Sequence, residues 1–356
     1  KQKAIWILPI AVAAAIIWLS HQPSLPMGVS LPPPLDKVAH FSAFGTLAVC
    51  LEWALRWTRH DLPVYRRHLF IFLAVACFGA MDEWHQHFVP GRASEFSDWV
   101  ADATGALFGL GLTSLPFLWS RRLASFGWWR GEQKRPDQSR PLILVADAHW
   151  CEELTGLREA TNAHSEADWL FLGDVFDVWV GVPGMQTETQ RSFLWWVEER
   201  RAAGRWVGLW MGNREYFLDT VSQRFSLLGE GIEGSLPSEN LAWEHGDLLN
   251  TQDHQYRFWC LISRSGFVWL LVRLLPGRLA SALAIRLEQG MRTTNRAYKL
   301  AFPREAFRSA AALHDQAVFL TGHFHTHEVE GNGISLPWAH EGTFMVWQHG
   351  RVEPLG

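Results

Sequence analysis

Hydrophobic and polar positions alternate on two different length scales along this chain. Over the first 120 residues the apolar runs are long. Ala4 to Leu19 is almost unbroken, and three more stretches follow near Val38–Trp57, His68–Phe88 and Trp99–Trp119. Each approaches the ~20 residues that a helix needs to cross a bilayer, so the pattern predicts four transmembrane helices. The first run, after Lys1-Gln2-Lys3, is read as an uncleaved helix because further spans follow it. From about residue 141 the runs shorten to strand length. Val145-Ala146, Trp169-Leu170-Phe171-Leu172, Val207-Gly208-Leu209-Trp210-Met211 and Val318-Phe319-Leu320 read as buried strands.

Each of these short runs ends in a cluster of small and polar residues. With one further segment, the series is Asp147-Ala148-His149, Gly173-Asp174-Val175-Phe176-Asp177, Gly212-Asn213-Arg214-Glu215, His245-Gly246-Asp247 and Gly322-His323-Phe324-His325. Strand ends that converge on one sheet edge are where α/β folds place their chemistry. Two divalent cations a few ångströms apart need about seven protein ligands, one of them a shared carboxylate. Asp147, His149 and His325 are expected to hold the first cation, Asn213, His245 and His323 the second, with Asp174 bridging. Carboxylate, imidazole and amide ligation without thiolate favours manganese, with iron or zinc as alternatives. Such a pair would polarise a phosphoryl oxygen and activate water for in-line attack on phosphorus. Arg214, next to the Asn ligand, is placed to grip the phosphate as charge develops.

Other residues near the motifs have plainer readings. Asp177 and Asp247 are expected to orient a neighbouring imidazole or the backbone, His327 to be a solvated loop residue, and Cys151 a small apolar one. The four cysteines, Cys50, Cys77, Cys151 and Cys260, are scattered without a disulfide framework, which points to a reducing compartment.

The motif series resembles the calcineurin-like metallophosphoesterases, and within them the UDP-2,3-diacylglucosamine diphosphatase family of the lipid A pathway. Two details carry the narrower likeness: Arg214 after Gly212-Asn213, and Thr251-Gln252-Asp253-His254-Gln255-Tyr256-Arg257-Phe258 after His245-Gly246-Asp247. The resemblance, over residues 141–356, implies an α/β/β/α sandwich that cleaves the pyrophosphate of UDP-2,3-diacylglucosamine to lipid X and UMP. It implies substrate contacts from Asn213, Arg214, Asp253, Tyr256 and Lys299. The greasy segment Phe267–Pro276, within residues 261–300, is similar to the family's helical lid for acyl chains; the alternative is a core helix. Ala146 and Ala148 replace the family's usual Ser and Leu, Gln252 replaces an Asp, and Gly181-Val182-Pro183-Gly184 lacks the acidic residues common there. These departures touch the substrate more than the reaction class.

Residues 1–120 resemble the VanZ-like membrane family through Asp36-Lys37-x-x-His40-Phe41, Asp82-Glu83-x-x-Gln86-x-Phe88-Val89-Pro90-Gly91-Arg92, Asp98 and Gly105, with Asp102 where the family has Asn. Lys1 and Lys3, then Arg56, Arg59, Arg66 and Arg67, then Arg121, Arg122, Arg130, Lys134, Arg135 and Arg140 alternate with loops carrying only Lys37 and Arg92. By the positive-inside rule both ends are cytoplasmic. That topology puts the phosphoesterase in the cytoplasm and Asp36, His40, Asp82, Glu83, Gln86, Arg92, Asp98 and Asp102 toward the outer face. Those groups read either as a pocket for a headgroup or glycan or as an ion-pair cluster that fixes helix packing. Residues 121–140 read as a basic, aromatic linker: an interfacial anchor or a tether.

The expected protein is therefore an all-α four-helix transmembrane domain joined to an α/β metallophosphoesterase, multi-pass in the bacterial inner membrane. Its expected ligands are two divalent cations, a nucleotide-linked lipid substrate and membrane lipids, with no obligate protein partner. Rival readings are hydrolysis of another nucleotide-linked or polyprenyl lipid pyrophosphate, or a lipid-binding resistance protein with an inactive tail. A net charge of −4 and the lack of a basic patch give no reason to expect nucleic acid.

Overall fold

The computed structural model describes residues 2–23, 35–59, 61–90, 92, 94–115, 127–150, 153–182, 184–250, 253–276, 279–280, 282–283, 286, 302–339 and 343–355. The chain divides into two compact units, Lys1–Ala124 and Ser125–Gly356.

The first unit holds helices α1 (Ile7–Ser20), α2 (Leu35–Thr58), α3 (Val64–Gln86) and α4 (Phe96–Ser114), one on each long apolar run. Phe44, Ala48, Ile71, Val75 and Ala106 form its core, while Ile10, Trp18, Trp53, Phe70, Met81 and Phe108 face outward. Helices that are apolar all round suit a lipid surround rather than water. Of the four, α2 and α3 are long and apolar enough to cross a membrane, whereas the first apolar helix, Ala4–Ser20, is shorter. The backbones of α2 and α4 touch: a Cβ on Gly105 would lie 2.1 Å from the Phe41 carbonyl oxygen, and one on Gly109 2.5 Å from that of Gly45. Such close approach is how helices associate without a water-driven hydrophobic term. Arg67 on α3 makes a fork to Glu52 on α2, Nε to Oε2 at 2.7 Å and Nη2 to Oε1 at 2.8 Å, both side chains buried. A bidentate pair is the form in which an arginine and a carboxylate tolerate burial.

The second unit is built on two main sheets and a short parallel pair, β4 (Trp179–Val180) and β6 (Glu215–Tyr216). The larger contains β1 (Gly127–Gly131), β7 (Leu227–Gly231), β5 (Val207–Trp210), β3 (Asp168–Phe171), β2 (Leu142–Val145), β13 (Met345–Gln348) and β14 (Arg351–Pro354), in that spatial order. Strands β2, β3, β5 and β7 run parallel, and β1, β13 and β14 are antiparallel additions at the edges. The smaller sheet orders β11 (Glu328–Glu330), β12 (Gly333–Ser335), β10 (Val318–Thr321), β9 (Leu241–Glu244) and β8 (Gly234–Leu236), with β9, β10 and β12 parallel. Alternate residues of the strands point to opposite faces. Leu142, Leu144, Leu170 and Trp210 thus meet Leu241, Trp243 and Leu320 between the sheets. On the outer face of the larger sheet, Ile143, Val145, Trp169 and Phe171 receive Leu157 of helix Thr155–Ala163 and Phe193, Trp196 and Val197 of helix Glu188–Ala202. On the outer face of the smaller sheet, Ala242 and Phe319 receive Phe307 and Ala310 of helix Arg304–Ala311. The layers run helix, sheet, sheet, helix.

The expected linker, residues 121–140, is in part sheet. Its aromatic centre forms β1 and pairs with β7, and Trp128 is fully buried, donating from Nε1 to Glu230 Oε2 at 2.9 Å. These tryptophans serve the core of the second unit rather than a lipid interface. Buried Arg135 is engaged as well, reaching Asp168 Oδ2 at 3.2 Å and Glu239 Oε1 at 2.9 Å. Removing one side of a buried pair strands the other charge, so Arg135→Ala should destabilise the second unit by about 3 kcal/mol. Urea unfolding followed by tryptophan fluorescence measures it.

Candidate metal centre

All five polar motifs follow the C-terminal end of a parallel strand. Asp147 and His149 follow β2, Asp174 follows β3, Asn213 follows β5, His245 follows β9, and His323 and His325 follow β10. Parallel strands expose all their carboxyl ends on one edge, which is why residues 178 positions apart in sequence end side by side. The chain must turn sharply there. Among the described residues eight non-glycines have positive φ, and five of them are Asp147, His149, Asp174, His323 and His325. Left-handed backbone is costly for residues with a Cβ, and its concentration in the proposed ligands marks a site where geometry overrides local preference.

Two trios of donors result. Single ligand atoms of Asp147, His149 and His325 lie within 4.8 Å of one another, and so do those of Asp174, His245 and His323. In the first trio the Nε2 atoms of His149 and His325 are 3.4 Å apart, and His325 Nε2 is 3.8 Å from Asp147 Oδ1. In the second, Asn213 Oδ1 lies 3.0 Å from both His245 Nε2 and His323 Nδ1. Asp174 reaches a histidine of each trio, Oδ2 3.9 Å from His149 Nε2 and Oδ1 3.5 Å from His245 Nε2. His245 Nδ1 sits 2.7 Å from the Leu172 carbonyl, so that nitrogen carries the proton and Nε2 is the lone-pair side. Asp177, as expected of an orienting carboxylate, is 3.4 Å from His149 Nδ1.

The residues fit a pair of cations. Asp147 is fully buried, and its Oδ1 accepts no hydrogen bond, a state that is costly without a positive partner. Burial opposes ionisation of Asp174, but His245, His149 and Arg214 hold its carboxyl below the usual range. Burial and the neighbouring imidazoles push His323 and His325 down to about 4. Those are the ligand forms a dication needs, an ionised carboxylate and neutral imidazoles. Burial pushes Asp147 up to about 6, with His245 opposing it. Burial disfavours protonation of His245, yet Asp174, Asp147 and Asp247 raise it well above the ordinary imidazole range.

Other candidate residues have structural partners of their own. Arg214 donates its backbone N–H to Asp174 Oδ1 at 3.0 Å, and its Nε lies 3.9 Å from Asp174 Oδ2, beside the donor cluster. Asp253, read as a substrate contact, caps helix His254–Ser263 by accepting from the Tyr256 N–H at 2.9 Å. Tyr256 donates its hydroxyl to Asp247. Lys299 lies outside the described residues, as do Cys151 and Gln252. His327 is an exposed loop residue with Nδ1 3.1 Å from the Ser335 carbonyl.

Three positioning residues were not singled out from the sequence. Glu215 is fully buried and accepts from the backbone N–H groups of Asp174 at 2.9 Å, Val175 at 2.8 Å and Gly212 at 2.8 Å. It thereby ties the loop after β3 to the loop after β5. Arg264, at the end of helix His254–Ser263, donates to the Gly212 carbonyl at 2.7 Å and pairs with Glu230 at 2.7 Å. Trp338 stacks on His325, ring centroids 5.2 Å apart. Glu215 is the last residue of the third motif, whereas nothing local marks Arg264 or Trp338.

Residues 3–118 match the family model VanZ/LLP1. A UDP-2,3-diacylglucosamine hydrolase of Ectopseudomonas mendocina (strain ymp) is 30% identical over 214 residues, spanning 54% of this chain and 85% of the relative. The chain belongs to the UDP-2,3-diacylglucosamine hydrolase family. It is a hydrolase. Similar family members include one from Pseudomonas fluorescens (strain SBW25), 29% identical over 164 residues, 44% of this chain and 66% of the relative. Another, from Stutzerimonas stutzeri (strain A1501), is 27% identical over 210 residues, 54% of this chain and 86% of the relative. The family assignment rests on the C-terminal half, where the donor trios lie.

Glu215→Ala leaves three buried N–H groups without their acceptor and should cost about 3 kcal/mol or more. A lower calorimetric midpoint together with lost metal retention is expected, and Glu215→Gln, which keeps one acceptor oxygen, should fall between.

Proposed function

We propose that this protein hydrolyses the pyrophosphate bond of UDP-2,3-diacylglucosamine, releasing UMP and 2,3-diacylglucosamine 1-phosphate, with two divalent cations, manganese foremost. The observation that carries the reading is the pair of donor trios, the second of which contains Asp174, in a chain whose relatives bear that substrate in their name. Asp147, His149 and His325 would hold one cation, Asn213, His245 and His323 the other, and Asp174 both. When bound, the ions supply Lewis acidity toward a phosphoryl oxygen and acidify water for attack on phosphorus.

The chain's own residues do the rest. The Leu172 carbonyl keeps His245 in one tautomer, and Asp177 steadies His149. Glu215 holds the Asp174 and Asn213 loops in register while Arg264 braces the second from behind. Arg214, anchored through its backbone to Asp174, places a permanent positive charge where phosphate oxygens gain negative charge.

Substrate recognition is assigned to the helical insertion. Helices His254–Ser263 and Gly266–Leu274 expose Phe258, Trp259, Phe267, Leu271 and Leu274, the last two 50% and 71% accessible. An apolar face left in the open next to a phosphoesterase centre suits acyl chains better than water. Lys299, Tyr256 and Asp253 remain proposed contacts for the polar part of the substrate. The N-terminal unit, with two membrane-capable helices and the VanZ/LLP1 match, supports a membrane-embedded protein. We place it as four spans in the bacterial inner membrane, both ends cytoplasmic, on the distribution of Lys and Arg.

The decisive assay is phosphorus-detected turnover of UDP-2,3-diacylglucosamine with added Mn2+. Wild type should release UMP and Asp174→Asn none, while Arg214→Ala should lower kcat by about 10²–10³-fold. Absence of UMP from folded, metal-loaded wild type would redirect the search to other lipid pyrophosphates. For the insertion, Leu274→Asp should raise KM for the diacylated substrate and leave a soluble phosphodiester unaffected; equal effects on both would make the helix mere core.

A further inference from the structure

Toward one end of the N-terminal unit, α2, α3 and α4 bring together His40, Glu83 and Asp98. One nitrogen of the imidazole and one oxygen of each carboxylate all lie within 4.8 Å of one another. We propose that these three side chains hold a divalent transition cation, zinc or manganese, separate from the cations of the phosphoesterase unit. Nothing in the function proposed above requires it.

Charge balance is the first argument. Asp82, Glu83, Asp98 and Asp102 are all buried, none more than 6% accessible. Lys37 reaches Asp98, but the same ammonium also serves the exposed Glu95 at 2.7 Å and Asp36 at 3.4 Å. Arg92 is turned away, its guanidinium donating to the backbone carbonyls of Gln22 and Leu19 at 2.9 and 2.8 Å. Asp82 is occupied by Ser20 Oγ at 2.7 Å and Gln86 Nε2 at 2.9 Å, both neutral donors. Among the described residues, Asp98 alone of the four buried carboxylates pairs with a lysine ammonium, one already shared three ways, and Asp102 meets the His40 imidazole. Buried carboxylates without compensating charge are among the least stable arrangements a helical bundle can hold.

The second argument is orientation. His40 Nδ1 lies 3.0 Å from Asp102 Oδ1. A carboxylate accepting from one imidazole nitrogen fixes the tautomer and leaves the other with its lone pair, the support that metal-binding histidines commonly have. Asp102 is completely buried, and its Oδ2 has no hydrogen-bond partner. That oxygen faces Gly79 of α3, where a Cβ would come within 2.9 Å of it. That oxygen thus lies between α3 and α4, two of the helices that supply the trio. Glu83 is steadied too, accepting from the Glu95 N–H at 3.0 Å and from Gln86 Nε2 at 3.4 Å, with lone pairs to spare. One imidazole with carboxylates and no thiolate suits zinc or manganese rather than a soft monovalent ion.

The test is metal content of the full-length chain in detergent, loaded with Zn2+ or Mn2+ alone, desalted and measured by mass spectrometry. A chain carrying Asp147→Asn, Asp174→Asn and His323→Ala, with its phosphoesterase centre disabled, should still retain about one ion per chain. Adding His40→Gln or Glu83→Gln should abolish it, with unchanged helical circular dichroism and elution. Asp102→Asn should weaken binding by about 10–100-fold without removing it. In an otherwise wild-type chain, His40→Gln should lose one ion and leave phosphodiester hydrolysis as it was. No ion in the phosphoesterase-disabled chain, or an ion that survives His40→Gln, overturns the proposal and means that protons neutralise these carboxylates instead.

Discussion

The architecture of the catalytic half depends on one buried carboxylate. Glu215 gathers three backbone N–H groups, from Asp174, Val175 and Gly212, and so locks the ends of two adjacent parallel strands together. Burial and the nearby Asp174 charge push its carboxyl up to about 7, the sign of a group held against its electrostatic preference. Space at this crossing is equally restricted: a Cβ on Gly173, whose φ is +87°, would lie 2.6 Å from the Gly212 nitrogen and from His245 Nδ1. Asn213 and Asp174 can meet the same pair of histidines only because the loops carrying them approach this closely.

Behind that edge the sheets must not move, and aromatic packing provides the stiffness. Trp169, Phe171, Phe193 and Trp196 meet one another face to face or edge to face, and Phe176 and Trp179 extend the group toward the second motif. Rings of this size bury large apolar areas in few rotamers. Between the sheets, Trp210 and Trp243 pack edge on, 6.2 Å between centroids. Much of the chain's tryptophan is therefore structural in the hydrolase unit, and only part of it, such as Trp18, Trp53 and Trp57, faces outward from the apolar helices.

The two units handle ionisable groups by the same physics in different solvents. In the hydrolase, Asp147, Asp174 and Glu215 are buried beside histidines and backbone donors on strand ends. In the helical unit, Arg67 and Glu52 satisfy each other as a fork, whereas His40, Glu83, Asp98 and Asp102 converge with too little positive charge among them. Where a pair closes, burial is stable; where it does not, a ligand is the expected remedy.

The sequence by itself determined the apolar helices of the first unit, the strands before most motifs, the order of the motifs and which hard side chains stand at the strand ends. These follow from local rules: run length, two-residue alternation and hard ligands after a buried strand. Strand β9 was less visible because Glu244 interrupts its apolar character just before His245. Tertiary structure alone decided that the aromatic segment at 127–131 is an edge strand, because its partner β7 lies about a hundred residues away (Trp128 opposite Glu230). It alone decided that Asp253 caps a helix and that Tyr256 is engaged by Asp247. It also decided that Arg264 and Trp338 brace the centre from distant segments. Composition and spacing report what a residue can bond, but which partner it meets is set by how the sheets and helices close over it, and that information is not local.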